Sequence, residues 1–239
     1  TALRPGASSA ALALALRLLG AQRVISIDLS PLLSAQRVLS TVQRCLALVR
    51  AGALDGVGED DIVWMERILA NGSGKDAQTL LGELGIEVRC ADARETGLVR
   101  GSVDLFVSNN TFEHIPGDVL GGILGEFRRV GRSGSVMSHF VDMADHYAGF
   151  DRSITVFNYL QYSDRQWRLF NNPLQYQNRL RLSDYRALHR ASGWSVVDED
   201  LHAEPVEVLR TVSLAPRFQG MSEDDLRVTT AWMTSTPGG

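Results

Sequence analysis

Cysteine is scarce in this 239-residue chain, with Cys45 and Cys90 the only two. So distant a pair makes neither a disulfide framework nor metal-ligand spacing, and a reducing, cytoplasmic setting is expected. Positive charge is also in deficit: 24 Lys and Arg face 28 Asp and Glu, a formal net charge of −4. That balance argues against broad contact with phosphate backbones, so no nucleic-acid partner is expected. Long apolar runs are missing as well. Residues 10–19 form the longest, and Arg17 interrupts it. It is too short for a bilayer, no signal peptide is read, and no membrane partner is expected. Internal repeats are not found. What is present is a 44% hydrophobic fraction, enough for the core of one α/β domain or of a domain with a cap.

The most informative stretch is residues 2–28. It reads as a strand end, a turn of small residues around Pro5, Gly6, Ala7, Ser8 and Ser9, an apolar helix over 10–20, and a strand Val24-Ile25-Ser26-Ile27-Asp28. A turn of small residues lets a ligand approach the backbone, and the N–H groups opening the next helix meet it with partial positive charge. A carboxylate ending the following strand can bind two ribose hydroxyls, and Asp28 stands 22 residues beyond Gly6, close to the spacing this needs. The sequence opens at Thr1, which leaves too little room before Pro5 for the strand that should come first. That strand is expected to lie outside the sequence in hand.

Further along, helical spacing covers 32–49, 62–69 and 76–85, and Ser30-Pro31 reads as a turn. Strands are expected at 86–90, 102–108 and 134–140, with a loop and helix over 109–130 between the last two. Alternating strands and helices imply a doubly wound, mostly parallel sheet, with ligands at the carboxyl ends of its strands. Asp28, Asp92, Asn109, Asn110 and His139 all fall at such ends. Residues 142–181 change in character: Tyr147, Phe150, Phe157, Tyr159, Tyr162, Trp167, Phe170 and Tyr176 crowd among Asn, Gln, Asp and Arg. They are read as an aromatic lid inserted between a nucleotide-binding core, 1–141, and its C-terminal part, 182–239. Within it Arg179 and Arg181 are expected to tie the lid to acids such as Asp142 or Asp145. In the C-terminal part a helix over 182–191 precedes a strand from Trp194, which is expected to pair antiparallel with a strand near 206–212. The last helix is expected over 221–232.

Pro5-Gly6, the Ala-Leu-rich helix and the strand ending in Asp28 resemble the first two motifs of class I S-adenosylmethionine-dependent methyltransferases, in the version with a Gly-Pro-Gly loop. The resemblance implies S-adenosylmethionine as cofactor and S-adenosylhomocysteine as product, with Pro5, Gly6, Ala7, Asp28 and Leu29 at the cofactor. Cys90-Ala91-Asp92-Ala93 is similar to the third motif, which implies that Asp92 and Ala93 meet the adenine edge. Ser108-Asn109-Asn110-Thr111-Phe112-Glu113-His114 resembles the fourth-strand exit of the family, where Asn109, Asn110 and His114 would lie by the cofactor and acceptor. Two positions depart from the pattern: Ala2 stands where an acid is usual, and Arg4 replaces the first glycine.

His114 is a candidate general base, because imidazole titrates near neutral pH and methyl transfer to a neutral oxygen must shed a proton. His139, Asp142 and His146 form a second candidate group, three and four residues apart, close enough on a helical turn to pair. No metal site is expected. The function implied is methyl transfer to a small molecule, partly apolar or ring-containing, of the kind met in secondary metabolism. Ala2 and Arg4 motivate a second expectation: a non-methylating relative, either a partner subunit or a protein that reuses the pocket. A homodimer or a methyltransferase-like partner chain would fit either reading.

Overall fold

The computed structural model describes residues 5–29, 34–172 and 176–238, with side chains from residue 10 onward. It divides into two compact units, Thr1–Thr96 and Gly97–Gly239. The fold is mixed α/β with parallel strand pairs and an antiparallel closing pair, as the alternation of elements implies. Among the described residues no helix is long and apolar enough to cross a membrane.

In the first unit, α1 (Pro5–Leu18) leads to β1 (Val24–Asp28); α2 (Ala35–Arg50), α3 (Glu59–Asn71) and α4 (Ala77–Glu83) follow; and β2 (Ile86–Cys90) pairs parallel with β1. α1 begins at Pro5, so residues 5–9, read above as a turn, belong to the helix. Proline suits a first turn because its missing N–H would have no partner there anyway. α3 starts three residues before its apolar pattern does, because Glu59, Asp60 and Asp61 sit favourably on the positive end of the helix dipole. Leu14, Val38, Val42, Met65, Leu80 and Ile86 are at the centre of this unit's core. The expected turn at Ser30-Pro31, like Ala2 and Arg4, lies outside the described residues.

The second unit is built on a four-stranded sheet of order β3-β4-β6-β5. β3 (Val103–Asn109) and β4 (Gly131–Asp142) are parallel and joined through α5 (Gly117–Val130). α6 (Asp164–Phe170) lies in the aromatic segment, and α7 (Leu182–Ala191) leads into β5 (Trp194–Ala203). Two expectations fail here. Residues 206–212 form no strand: Pro205 sets up a single helical turn, α8 (Val206–Leu209). The closing partner is β6 (Val228–Pro237), antiparallel to both β4 and β5, where a helix was expected. Ser222 caps only the short α9 (Glu223–Leu226); beyond it Ala231, Met233 and Ser235 are buried while Thr230, Trp232 and Thr234 are not, which is the period of a strand.

Two apolar clusters hold this unit together. One lies on the sheet, around Phe106, Leu120, Met137, Tyr185, Trp194 and Met233. The other joins Phe157, Tyr159, Leu160 and Trp167 of the aromatic segment to Leu209, Phe218 and Leu226. Arg179 stabilises the second cluster. Its guanidinium lies 5.5 Å from the Trp167 ring centre and 5.3 Å from that of Phe218. It also bonds the Tyr159 carbonyl at 2.9 Å and Asp164 at 2.5 Å. The acid it meets is thus Asp164, and Arg181 bonds carbonyls and a phenol. Neither bonds Asp142 or Asp145: Arg179 turns to α6, and Arg181 reaches past those acids to the Met143, Leu226 and Val228 carbonyls.

Candidate functional site

Two groups of the expected site residues are brought together, one in each unit. In the first, the parallel register sets Asp28 opposite Cys90, and the Ala91 amide donates to the Asp28 carbonyl at 2.9 Å. Asp92 follows two residues on, so both carboxylates end neighbouring strands at one edge. Leu29 is exposed, with its carbonyl 3.2 Å from Cys90 Sγ; Asp28, Asp92 and Ala93 are half-buried. Asp92 accepts from the Arg94 backbone amide at 2.8 Å and pairs with its guanidinium at 2.6 Å, and these bonds hold the carboxyl below the usual range. Pro5, Gly6 and Ala7 open α1, and their side chains lie outside the described residues.

In the second unit the candidate residues gather at the carboxyl ends of β3 and β4. Asn109 pairs with Phe140. Asn110 takes a left-handed backbone (φ 49°), a conformation asparagine tolerates better than other side-chain-bearing residues, and its amide donates to the Phe140 carbonyl at 3.1 Å. This bend sends the chain into the 310 turn of residues 112–114. His114 Nδ1 lies 2.7 Å from the Tyr176 carbonyl, which accepts only, so Nδ1 carries the proton and Nε2 the lone pair. Asn178 fixes the turn: its side-chain amide donates to the carbonyls of Phe112 and Ile115 at 2.8 and 2.7 Å, and its backbone N–H to that of Glu113 at 2.7 Å.

From β4, Asp142 reaches His146, with Oδ2 to Nε2 3.6 Å, and the His146 ring centre stands 5.2 Å from that of His114. The two imidazoles are pushed in opposite directions. For His114, burial dominates and lowers the pKa below its ordinary 6.5, with the neighbouring His146 adding to it. For His146, burial is outweighed by the bond and charge of Asp142 and the charges of Glu113 and Asp145, so its pKa is raised. Two adjacent imidazoles whose surroundings push their pKa values apart are the arrangement that acid–base chemistry uses.

His139 does not belong to this group. β4 continues through Asp142, so residues 139 and 142 point to opposite faces of the sheet, where a helical turn was expected to join them. His139 is 1% exposed, 2.8 Å from Ser108 Oγ through Nδ1 and stacked on Phe112 at 4.2 Å. Burial, with the charge of His189, lowers its pKa to about 3 and holds it neutral in the core. The residue that spacing missed is Glu113: 1% exposed, with neither carboxyl oxygen reaching a hydrogen-bond partner, and pushed up to about 7 by burial. Its place beside His114 is visible in the sequence; its burial is not. Among the described residues no group of three or more side chains is arranged to hold a metal ion.

A family model described as a methyltransferase domain matches residues 61–138, a span that contains Asp92 and the segment from Asn109 to His114. The resemblance read from the sequence is thereby borne out over that span. No curated protein matches the chain. Among solved structures it is similar to a protein from Pyrococcus horikoshii OT3, with a TM-score of 0.49 at 9% identity, over 97% of this chain and 79% of that one. It is also similar to a putative sarcosine dimethylglycine methyltransferase from Galdieria sulphuraria (0.43, 16%, 90% of this chain and 70% of that one). A possible exported protein from Bordetella parapertussis gives 0.40 at 12%, over 91% of this chain; the chain spans only 54% of that protein's length.

Proposed function

We propose, from the premise that residues 61–138 are those of a methyltransferase domain, that the protein transfers a methyl group from S-adenosylmethionine to a small molecule. The observation that carries the reading is the pair of oppositely shifted imidazoles, His114 and His146, at the strand ends beside that span. The cofactor fits the donor set of the first unit: Asp28 and Asp92 end adjacent parallel strands, an arrangement suited to ribose hydroxyls and an adenine amine. Leu29 and Ala93 would flank them, with Pro5, Gly6 and Ala7 opening α1; for Asn109 and Asn110, at the end of β3, the role of cofactor contacts rests on the family resemblance alone. When bound, the cofactor supplies an activated methyl group.

The protein's own part is positioning and proton handling. His114 Nε2 takes the proton of a hydroxyl or amine acceptor, while Nδ1–H stays on the Tyr176 carbonyl and keeps the ring in its tautomer. Asp142, 3.6 Å away, raises the proton affinity of His146 beside it. Residues 142–181 act as a lid whose exposed Tyr147, Phe150 and Phe170 suit a ring-containing acceptor, such as an intermediate of secondary metabolism. Cys45 and Cys90 are unpaired, which suits a cytoplasmic setting.

Calorimetric titration of the whole chain with S-adenosylhomocysteine tests the cofactor. Binding is expected, weakened about a hundredfold by Asp28→Ala, since a carboxylate shared by two hydroxyls is worth about two charge-assisted hydrogen bonds. Absence of binding in the unaltered protein overturns the reading. His114→Gln should leave that titration unchanged and slow label transfer from methyl-labelled cofactor about a hundredfold, the ordinary contribution of a general base. The pH profile should rise through a pKa below the ordinary 6.5, because only unprotonated His114 accepts a proton.

A further inference from the structure

Glu113 is the one group in this cluster with no work assigned to it, and its surroundings are unusual for a carboxyl. The backbone around it is pinned: the Glu113 carbonyl accepts from the Asn178 N–H, and Asn178 grips the carbonyls on either side of the 310 turn. The side chain is fully buried and neither oxygen meets a partner at hydrogen-bond geometry, the Glu113 and Asp142 backbone N–H groups offsetting burial only in part. Leaving a buried carboxylate without a hydrogen bond is costly, so a carboxyl here survives by carrying its proton. The titratable groups that act on it are Asp142 from β4, His146 from the 310 turn His146–Gly149 and Tyr185 on α7, with His114 next to it in its own turn; Asp145, before that second turn, acts on His146. Tyr159 and Arg181 stand one shell further out, bonded to each other at 2.8 Å.

We infer that Glu113 is a charge-compensating residue that gives up its proton as His114 gains one, so that the cluster keeps the same net charge before and after the acceptor is deprotonated. The inference rests on the proposed role of His114. When the acceptor proton moves to His114 Nε2, two imidazolium rings would stand 5.2 Å apart, each raising the energy of the other. Release of the Glu113 proton restores an anion against the new cation. In balance, the acceptor O–H or N–H breaks, His114 Nε2–H forms and the Glu113 O–H breaks. The last proton leaves to water by exchange through the partly exposed Asp142–His146 pair. Glu113 touches no substrate in this scheme; it acts through the histidines. Burial pushes the Glu113 carboxyl up to about 7.

The test needs neither substrate nor cofactor, so its failure is distinct from a failure of the methyl-transfer reading. Histidine Cε1–H resonances of the whole chain are followed by NMR from pH 5 to 9. The His146 curve should show two inflections, one of them near neutrality and absent in Glu113→Gln, whose His146 midpoint should fall because an adjacent negative charge is gone. Superimposable His146 curves in the two folded proteins overturn the inference. Should Glu113→Gln not fold, carboxyl-labelled glutamate in the unaltered protein gives the same answer. One resonance is expected to titrate between pH 6 and 8; the inference fails if every glutamate is ionised at pH 6.

Discussion

Arg181→Met should cost about 5 kcal/mol of stability, the range reached when a buried hydrogen-bond network loses its centre. Arg181 is fully buried. One arm of its guanidinium donates to the Met143 carbonyl at 2.7 Å and the Tyr159 hydroxyl at 2.8 Å. The other arm donates to the carbonyls of Leu226 at 2.8 Å and Val228. It thus fastens the end of β4, the aromatic segment and the start of β6 at one point. No carboxylate pairs with it among the described residues, so removal takes the guanidinium donor from the Leu226 and Val228 carbonyls, while the Met143 carbonyl keeps the Tyr159 hydroxyl at 2.6 Å. Methionine fills much of the volume and satisfies none of them. Arg181→Lys should recover only part of the loss, since an ammonium on a flexible stem cannot fork across two sets of acceptors. Urea unfolding monitored at pH 7 decides this: a Met variant within about 1 kcal/mol of the parent would mean the carbonyls are satisfied otherwise.

The elements built on strong periodicity were legible in advance. Residues 86–90 and 103–109 appear as strands where apolar patterning put them, and α2, α5 and α7 follow the 3.6-residue spacing. β6 was not legible, because its buried face is Ala231, Met233 and Ser235 and its open face is threonine and tryptophan, a contrast too weak for periodicity to register. The same limit applies to the site. Spacing placed Asp142 and His146 together, and they do pair, one being at the end of β4 and the other on the next turn. It also joined Asp142 to His139, where the pleat separates them. Arg179 and Arg181 read as lid ties, but their partners depend on where the aromatic segment turns back, and no local pattern encodes that. Burial of a single side chain is a property of the whole packed unit, and for that reason Glu113 was visible as a neighbour of His114 and invisible as an acid.

Burial of Glu113 and of His139 has opposite consequences for stability as pH changes, and separating them gives the second large effect. His139 titrates at about 3 when folded against an ordinary 6.5. The unfolded chain therefore binds the extra proton first, and stability is lost as pH falls from 6.5 towards 3, by about 5 kcal/mol in all at about 1.4 kcal/mol per pH unit. Glu113 titrates at about 7 against an ordinary 4.5, so the folded chain holds the extra proton. Its contribution is full below 4.5 and is lost as pH rises to 7, about 3 kcal/mol in total. His114 and His189, both lowered, lean with His139; Asp145 and His146, both raised, lean with Glu113. Between pH 4.5 and 6.5 the slopes of Glu113 and His139 oppose and partly cancel in the unaltered protein. Glu113→Gln should uncover the first slope and lose about 3 kcal/mol on going from pH 6.5 to 4.5. His139→Phe, which keeps the stacking on Phe112, should uncover the second and gain a similar amount over the same interval. Thermal or urea midpoints at three pH values suffice, since the two variants must tilt in opposite directions; a common tilt would place one of these groups in water rather than in the core.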